Sequence, residues 1–185
     1  TVDLAGDDIT ANGLSVSKTN VDDGGDPSTG GPHIFSGGAD VTITNCDLQG
    51  SPISLKGSGS ATVTDNSISD TNDEGIFSFG TNGLSSVELT GNSVDNHNND
   101  KGNDTPSEIK IDESGVEVNG ISSSNPDEQR VSLLQENDVD AVLVEDGNSF
   151  GTKISAQSNP FFGSTLQDAV DLAGSDGLTL VESGT

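Results

Sequence analysis

Three features of the 185-residue sequence predict an all-β solenoid of about six irregular coils with one short C-terminal helix. Short runs of alternating apolar and polar residues replace the helical period over most of the chain. One short motif returns at intervals of roughly 20 to 35 residues, the range of stacked repeats. Between the runs lie Gly, Asn, Asp and Ser, the residues of tight turns. The predicted organisation is β coils over 1–158. A turn, an amphipathic helix and a final strand follow over 159–185.

Val41-Thr42-Ile43-Thr44, Val63-Thr64 and Val87-Glu88-Leu89-Thr90 read as strands. Each leads into an aliphatic, then Asn or Cys three residues on, then another aliphatic two residues later. Ile43, Cys46 and Leu48 set the pattern; Val63, Asn66 and Ile68 repeat it, as do Leu89, Asn92 and Val94. Ile9, Asn12 and Leu14 keep the same spacing. Asn119 after Val116-Glu117-Val118 and Asn148 after Val142-Leu143-Val144 extend it with small irregularities. A second strand precedes each central one: Ile34-Phe35, Ile53-Ser54-Leu55, Gly75-Ile76-Phe77-Ser78-Phe79, Ile109-Lys110-Ile111 and Val131-Ser132-Leu133-Leu134. Lys153-Ile154-Ser155-Ala156 reads as a last turn. The variable spacing falls in loops at 21–32, 70–74, 95–107 and 122–130.

A unit this short cannot bury its apolar side alone, so stacked Val and Ile would form aliphatic ladders. Asn12, Cys46, Asn66, Asn92, Asn119 and Asn148 would stand one above another at the corners. Asn tolerates the left-handed conformation, and its amide can bond to the coils above and below. Cys46 reads as a small buried residue standing in for Asn, an inert thiol.

V-T-I-T-N-C-D-L-Q-G, A-T-V-T-D-N-S-I-S-D and E-L-T-G-N-S-V-D resemble the repeats of right-handed parallel β-helix proteins, the pectate-lyase-like superfamily. The resemblance covers roughly residues 9–156. It implies a right-handed parallel β-helix and leaves function open, because enzymes, adhesins and phage spikes share the architecture.

Near the end the period changes. Leu166, Ala169, Val170 and Ala173 share one helical face, after Ser164 or Thr165 as N-cap and before Gly174. Leu178-Thr179-Leu180-Val181 reads as a strand. The stretch from Thr165 onward resembles the lead-in at the start of many β-helix domains. The helix is therefore expected either to cap the solenoid or to form the junction to a next unit. The chain opens at Thr1 without Met or a signal-peptide pattern, which reads as mature material or a piece of a longer chain.

Composition limits the chemistry. With 31 acidic and 6 basic residues the net charge is -25, so nucleic-acid phosphates and anionic lipid are repelled. No apolar run is long enough for a transmembrane helix. Hydrophobic residues make up 29% and aromatic residues 3%, with no Trp or Tyr, so the core is thin and the usual sugar-stacking platforms are missing. One cysteine excludes internal disulfides and thiolate zinc clusters. The acid excess suits an extracellular, salty or calcium-containing setting that screens self-repulsion.

No catalytic constellation emerges. The superfamily's lyases combine calcium carboxylates with a basic Arg or Lys. Arg130, the sole arginine, lies in a loop-like stretch and is expected to make a surface ion pair with Asp127 or Glu128. The hydrolase motifs find only Asp22-Asp23 here. His33 and His97 sit in polar loops. Calcium is the cation the acidic loops would take, because hard cations want several oxygen ligands. The ligand candidates are Asp22, Asp23 and Asp26; Asp70, Asp73 and Glu74; and Asp100 and Asp104. The expected function is an extracellular structural or adhesive module of a surface fibre, filament or large adhesin. Its partners would be copies of itself or tandem neighbours end to end, and surface glycan. The alternative is a polysaccharide-active or glycan-binding domain.

Overall fold

A computed structural model of the chain describes residues 2–4, 8–17, 34–36, 40–71, 74–79, 83–95, 107–144, 150–154, 167, 170–171 and 177–181. Its strands come in threes. β1 (Val2–Leu4), β2 (Thr10–Asn12) and β3 (Ser15–Ser17) make the first triplet. β4 (Ile34–Ser36), β5 (Val41–Thr44) and β6 (Asp47–Gln49) make the second. β7 (Ile53–Leu55), β8 (Gly59–Thr64) and β9 (Ser67–Ser69) follow, then β10 (Ile76–Phe79), β11 (Leu84–Thr90) and β12 (Ser93–Asp95). Every strand of a triplet pairs in parallel with its counterpart in the next. Sheet A begins β1-β4-β7-β10, sheet B β2-β5-β8-β11, and sheet C is β3-β6-β9-β12. The protein is mostly β with parallel sheets, an architecture compatible with a parallel β-helix-like fold.

Register follows from alternation. In β5, and from Ala61 and Val87 onward in β8 and β11, every second residue points inward and is buried, while the threonines between them are half-exposed. In-register pairing stacks Ala11, Ile43, Val63 and Leu89 in one column, and Val41, Ala61, Val87 and Val118 in another. Val16, Leu48, Ile68 and Val94 form the column of sheet C. A shift by one residue would turn each inward set out to water. Full burial of such an aliphatic is worth about 1.5–3 kcal/mol. Sheet A is buried on both faces at β7 and β10. Ile53, Leu55 and Ile76 join the core, while Ser54 and Phe77 are buried on the other side.

The corners carry the strained backbone. Gly13, Asn45, Asp65 and Gly91, between sheets B and C, all have positive φ, as do Asp8 and Asp40 ahead of sheet B and Gly50 and Asp70 after sheet C. Asp and Asn accept this conformation because their short polar side chains bond locally. Part of the acid excess is therefore corner chemistry. Gly91 has a second reason: the Asp65 carboxylate stands where a Cβ would go.

After four triplets the pattern changes, so the expected six coils do not appear as six repeats of three strands. β13 (Ile109–Asp112) extends sheet A and the two-residue β14 (Glu117–Val118) ends sheet B. Then comes a helix, α1 (Pro126–Glu136), where a loop over 122–130 and a strand over 131–134 were expected. Pro126 at its start, Asp127 and Glu128 in its first turn, and Leu133 and Leu134 one turn beyond Gln129 and Arg130 are helix signals. They outweigh the strand tendency of Val131. Leu133 and Leu134 enter the core cluster, so α1 closes the core where sheets B and C stop. β15 (Ala141–Val144) is a sheet A strand, although its Val142-Leu143-Val144 were aligned with the central strands. β16 (Phe150–Ile154) then runs antiparallel to β15, and β17 (Leu178–Val181) is parallel to β16. Of the helix expected over 164–173, Gln167, Val170 and Asp171 are described. All three are helical and exposed, and the remainder lies outside the described residues.

Gly75 tests the packing between sheets. A Cβ added there would sit 2.5 Å from Val94 Cγ1. Gly75→Ala is expected to cost about 1–3 kcal/mol in urea unfolding, the usual penalty of overpacking. Adding Val94→Ala should recover part of the loss, read as a favourable coupling in a double-mutant cycle.

Candidate functional site

The predicted corner residues divide into two sets. Cys46, Asn66 and Asn92 stand in one buried file, joined beyond them by Asn137. Asn66 Oδ1 accepts the Cys46 N–H at 2.9 Å. Asn92 Oδ1 accepts the Asn66 N–H at 3.2 Å and Asn66 Nδ2 at 2.9 Å. Asn137 Oδ1 accepts the Asn92 N–H and Nδ2, both at 3.0 Å. Each amide also reaches back to the preceding strand of sheet B. Asn66 Nδ2 donates to Ile43 O at 3.1 Å, Asn92 Nδ2 to Val63 O at 2.8 Å, and Asn137 Nδ2 to Leu89 O at 2.9 Å. Cys46 Sγ takes the equivalent place 4.0 Å from Ala11 O, a weak donor where the others have an amide.

Asn12 and Asn119 stand elsewhere. Asn12 pairs in register with Thr44 and is exposed, and the residue level with Cys46 is Leu14, whose carbonyl accepts the Asp47 N–H. The sequence spacing of Ile9, Asn12 and Leu14 was thus aligned two residues out. Asn119 is itself a left-handed corner. Its side chain clamps Leu89 from the side, accepting Leu89 N–H at 2.8 Å and donating to Leu89 O at 3.1 Å. Asn148 lies outside the described residues. At Cys46, Asn66 and Asn92 the left-handed turn belongs to the residue before, which leaves the file residue free to face inward, whereas Asn137 follows the last residue of α1.

Of the proposed calcium ligands, Asp70 and Glu74 are described. Asp70 occupies a left-handed corner and accepts Gln49 Nε2 at 2.9 Å; Glu74 is buried 3.6 Å from Lys110 Nζ. Asp22, Asp23, Asp26, Asp73, Asp100 and Asp104 lie outside the described residues, as do His33 and His97. Among the described residues no group of three or more His, Cys, Asp or Glu side chains is placed to hold a metal ion. Two further buried carboxylates serve the backbone. Glu108 Oε2 accepts the Asp140 and Ala141 N–H groups at 2.7 Å each, and Glu113 Oε1 accepts those of Gly83 and Leu84.

Arg130 corrects another expectation. It pairs with Asp127, but from inside: the arginine is 2% exposed while the Asp127 side chain is 75% exposed. Its stem packs on Gly151 of β16, and Nε and Nη1 have no hydrogen-bond partner among the described residues.

Among the described residues two surfaces stand out. At the first triplet, β1, β2 and β3 are the outermost strands of all three sheets. There Ile9, Leu14 and Val16 are half-buried, whereas Val41, Cys46 and Leu48, one triplet further in, are buried. Since Ile9 O and the Gly13 N–H face β5, alternation turns the backbone groups of Thr10 and Asn12 outward. The second surface is a groove of about 640 Å³ over the outer face of sheet B. Ser60, Thr62, Ser86, Glu88 and Thr90 form its floor, and Ser132 and Glu136 of α1 form a wall. The outward positions of β8 and β11 were legible as alternation. The wall was not, because it belongs to the unexpected helix.

A scan against family models, a search of curated proteins and a search of solved structures each returned no match for this chain.

The file predicts a cost for cutting it. Asn92→Ala leaves the Asn66 N–H unpaired in the interior, removes the amide's bonds to Val63 O and Asn137, and is expected to destabilise the protein by about 2–4 kcal/mol in denaturant unfolding.

Asp40 yields a pH prediction. The hydroxyl of Ser60, and then its N–H, bond to the Asp40 carboxylate and hold its pKa below the ordinary 3.8. A lowered folded pKa stabilises the fold above the ordinary value, and this contribution is lost as pH falls below 3.8 through the folded value. Ser60→Ala should move the Asp40 midpoint upward in a carboxyl-carbon NMR titration.

Proposed function

We propose that the chain is a right-handed parallel β-helix module of the pectate-lyase-like kind, its strand triplets being successive coils of one solenoid. Its work is structural and adhesive, at the cell surface or outside the cell, as a unit of a fibre, filament or large adhesin. The observation that carries this reading is the contrast between the two ends. α1 closes the core where sheets B and C stop, while the first triplet offers three adjacent strand edges over half-buried Ile9, Leu14 and Val16. Such edges are templates for strand addition. The occupant they fit is a further β coil, from a neighbouring repeat or a second copy. The strong negative charge favours a salty setting in which like-charged units can approach.

A glycan-binding role for the same module is favoured by a separate observation, the polar groove over sheet B.

Negative-stain electron microscopy and light scattering at high salt, with and without calcium, test the main reading. Particles longer than one unit are expected. Thr10→Pro removes an outward N–H from an edge strand, where proline is tolerated. It should leave the fold intact by circular dichroism and abolish the longer particles. Folded wild-type protein that stays a single short rod at every concentration would overturn end association. Longer particles that appear only with calcium would assign that ion to the contact.

A further inference from the structure

We propose that the groove over sheet B holds an extended cationic glycan, a chain of amino sugars bearing free ammonium groups. This rests on the glycan-binding reading above and adds the charge class of the ligand. The floor is built by register. Ser60 pairs with Ser86 and Thr62 with Glu88 across β8 and β11, which sets their outward side chains on strands roughly 4.8 Å apart. α1 adds Ser132 and Glu136 on one side, and β14 adds Glu117. The volume, about 640 Å³, lies within the range that holds a short oligomer.

The lining selects by charge. Glu88, Glu117 and Glu136 are exposed, and no ion pair among the described residues engages them. Among the described residues no Lys, Arg or His lines the groove. An anionic uronate chain would meet only repulsion there. The carboxylates are also spread rather than converging, since no three acidic side chains are placed around one ion. A single metal ion therefore does not answer the arrangement, and a ligand with several separated positive charges does. Ammonium groups would pair with the carboxylates, and the sugar hydroxyls, donors and acceptors at once, would match Thr62, Thr90 and Ser132. No aromatic side chain among the described residues lines the groove, so binding would rest on charge and hydrogen bonds and would weaken with salt.

Titration calorimetry of the whole chain at modest salt tests this with four probes: a glucosamine hexamer, its N-acetylated form, a neutral glucose hexamer and an oligolysine of equal charge. The glucosamine hexamer is expected to bind saturably, at least about tenfold more tightly than the two neutral sugars. Glu88→Gln with Glu117→Gln should weaken it about tenfold or more, the loss expected for charge-assisted bonds. Asp47→Asn with Asp95→Asn, two exposed acids of sheet C, should leave it unchanged. Equal binding of charged and neutral hexamers, abolished by the groove substitutions, would overturn the charge class and keep the glycan-binding reading. No groove-dependent binding of any sugar would overturn both. Binding weakened equally by the sheet C pair would mean general attraction to a negative protein and would overturn the site. Tighter groove-dependent binding of oligolysine would overturn the sugar in favour of a basic peptide.

Discussion

The amide file from Cys46 to Asn137 is the constraint on which the rest depends. Parallel strands are held by evenly spaced backbone bonds, which by themselves do not stop one strand sliding past another. A side-chain amide that bonds both to the next asparagine and to a carbonyl of the preceding sheet B strand admits one register. Each asparagine also satisfies the backbone N–H of its neighbour in the file, a group that would otherwise be buried unpaired where the chain turns from sheet B to sheet C. Aliphatic columns then fall into line because the corner has already been fixed. The columns supply most of the burial free energy, and the file decides which residues share it.

The end of the file explains the end of the repeating part. Asn137 is the last member, and it is also where α1 stops: its Nδ2 donates to Leu133 O in the final turn of the helix and to Leu89 O in β11. The same amide thus ties helix to sheet. Gln129 performs a similar office near the other end of α1, donating to Val116 O and Ile121 O. A helix of eleven residues held by interior amides and two buried leucines replaces the sheet B and sheet C strands that another triplet would have provided.

How much of this was legible depended on how local each signal was. The strand alternation, the repeat and the membership of Cys46, Asn66 and Asn92 in one file follow from motifs a few residues long. Asn137 could not be found the same way, because the helix separates it from the strand that would have announced it. Asn119 and Asn12 kept the spacing and missed the file. Spacing along the chain does not reveal which residue of a corner takes positive φ and which turns inward. Arg130 was misplaced for a related reason: hydrophilicity predicts exposure only when nothing folds over the residue, and α1 carries it against Gly151. Of the groove, the floor was implicit in the outward Thr and Glu positions, while the α1 wall depended on an element the strand reading had hidden.

Sheet direction reverses between β15 and β16. A triplet set against β17 would meet a sheet A edge running opposite to β1 through β15. One set against β1 would meet strands already running its own way. Between the first and fourth triplets each strand also pairs only with its counterparts in the adjacent triplets. In evolutionary terms the molecule separates a part that tolerates duplication from a part that does not. Layers can be gained or lost near β1 without revising α1 or β15 to β17, so members of such a lineage would differ in length at one end and keep a common terminus at the other.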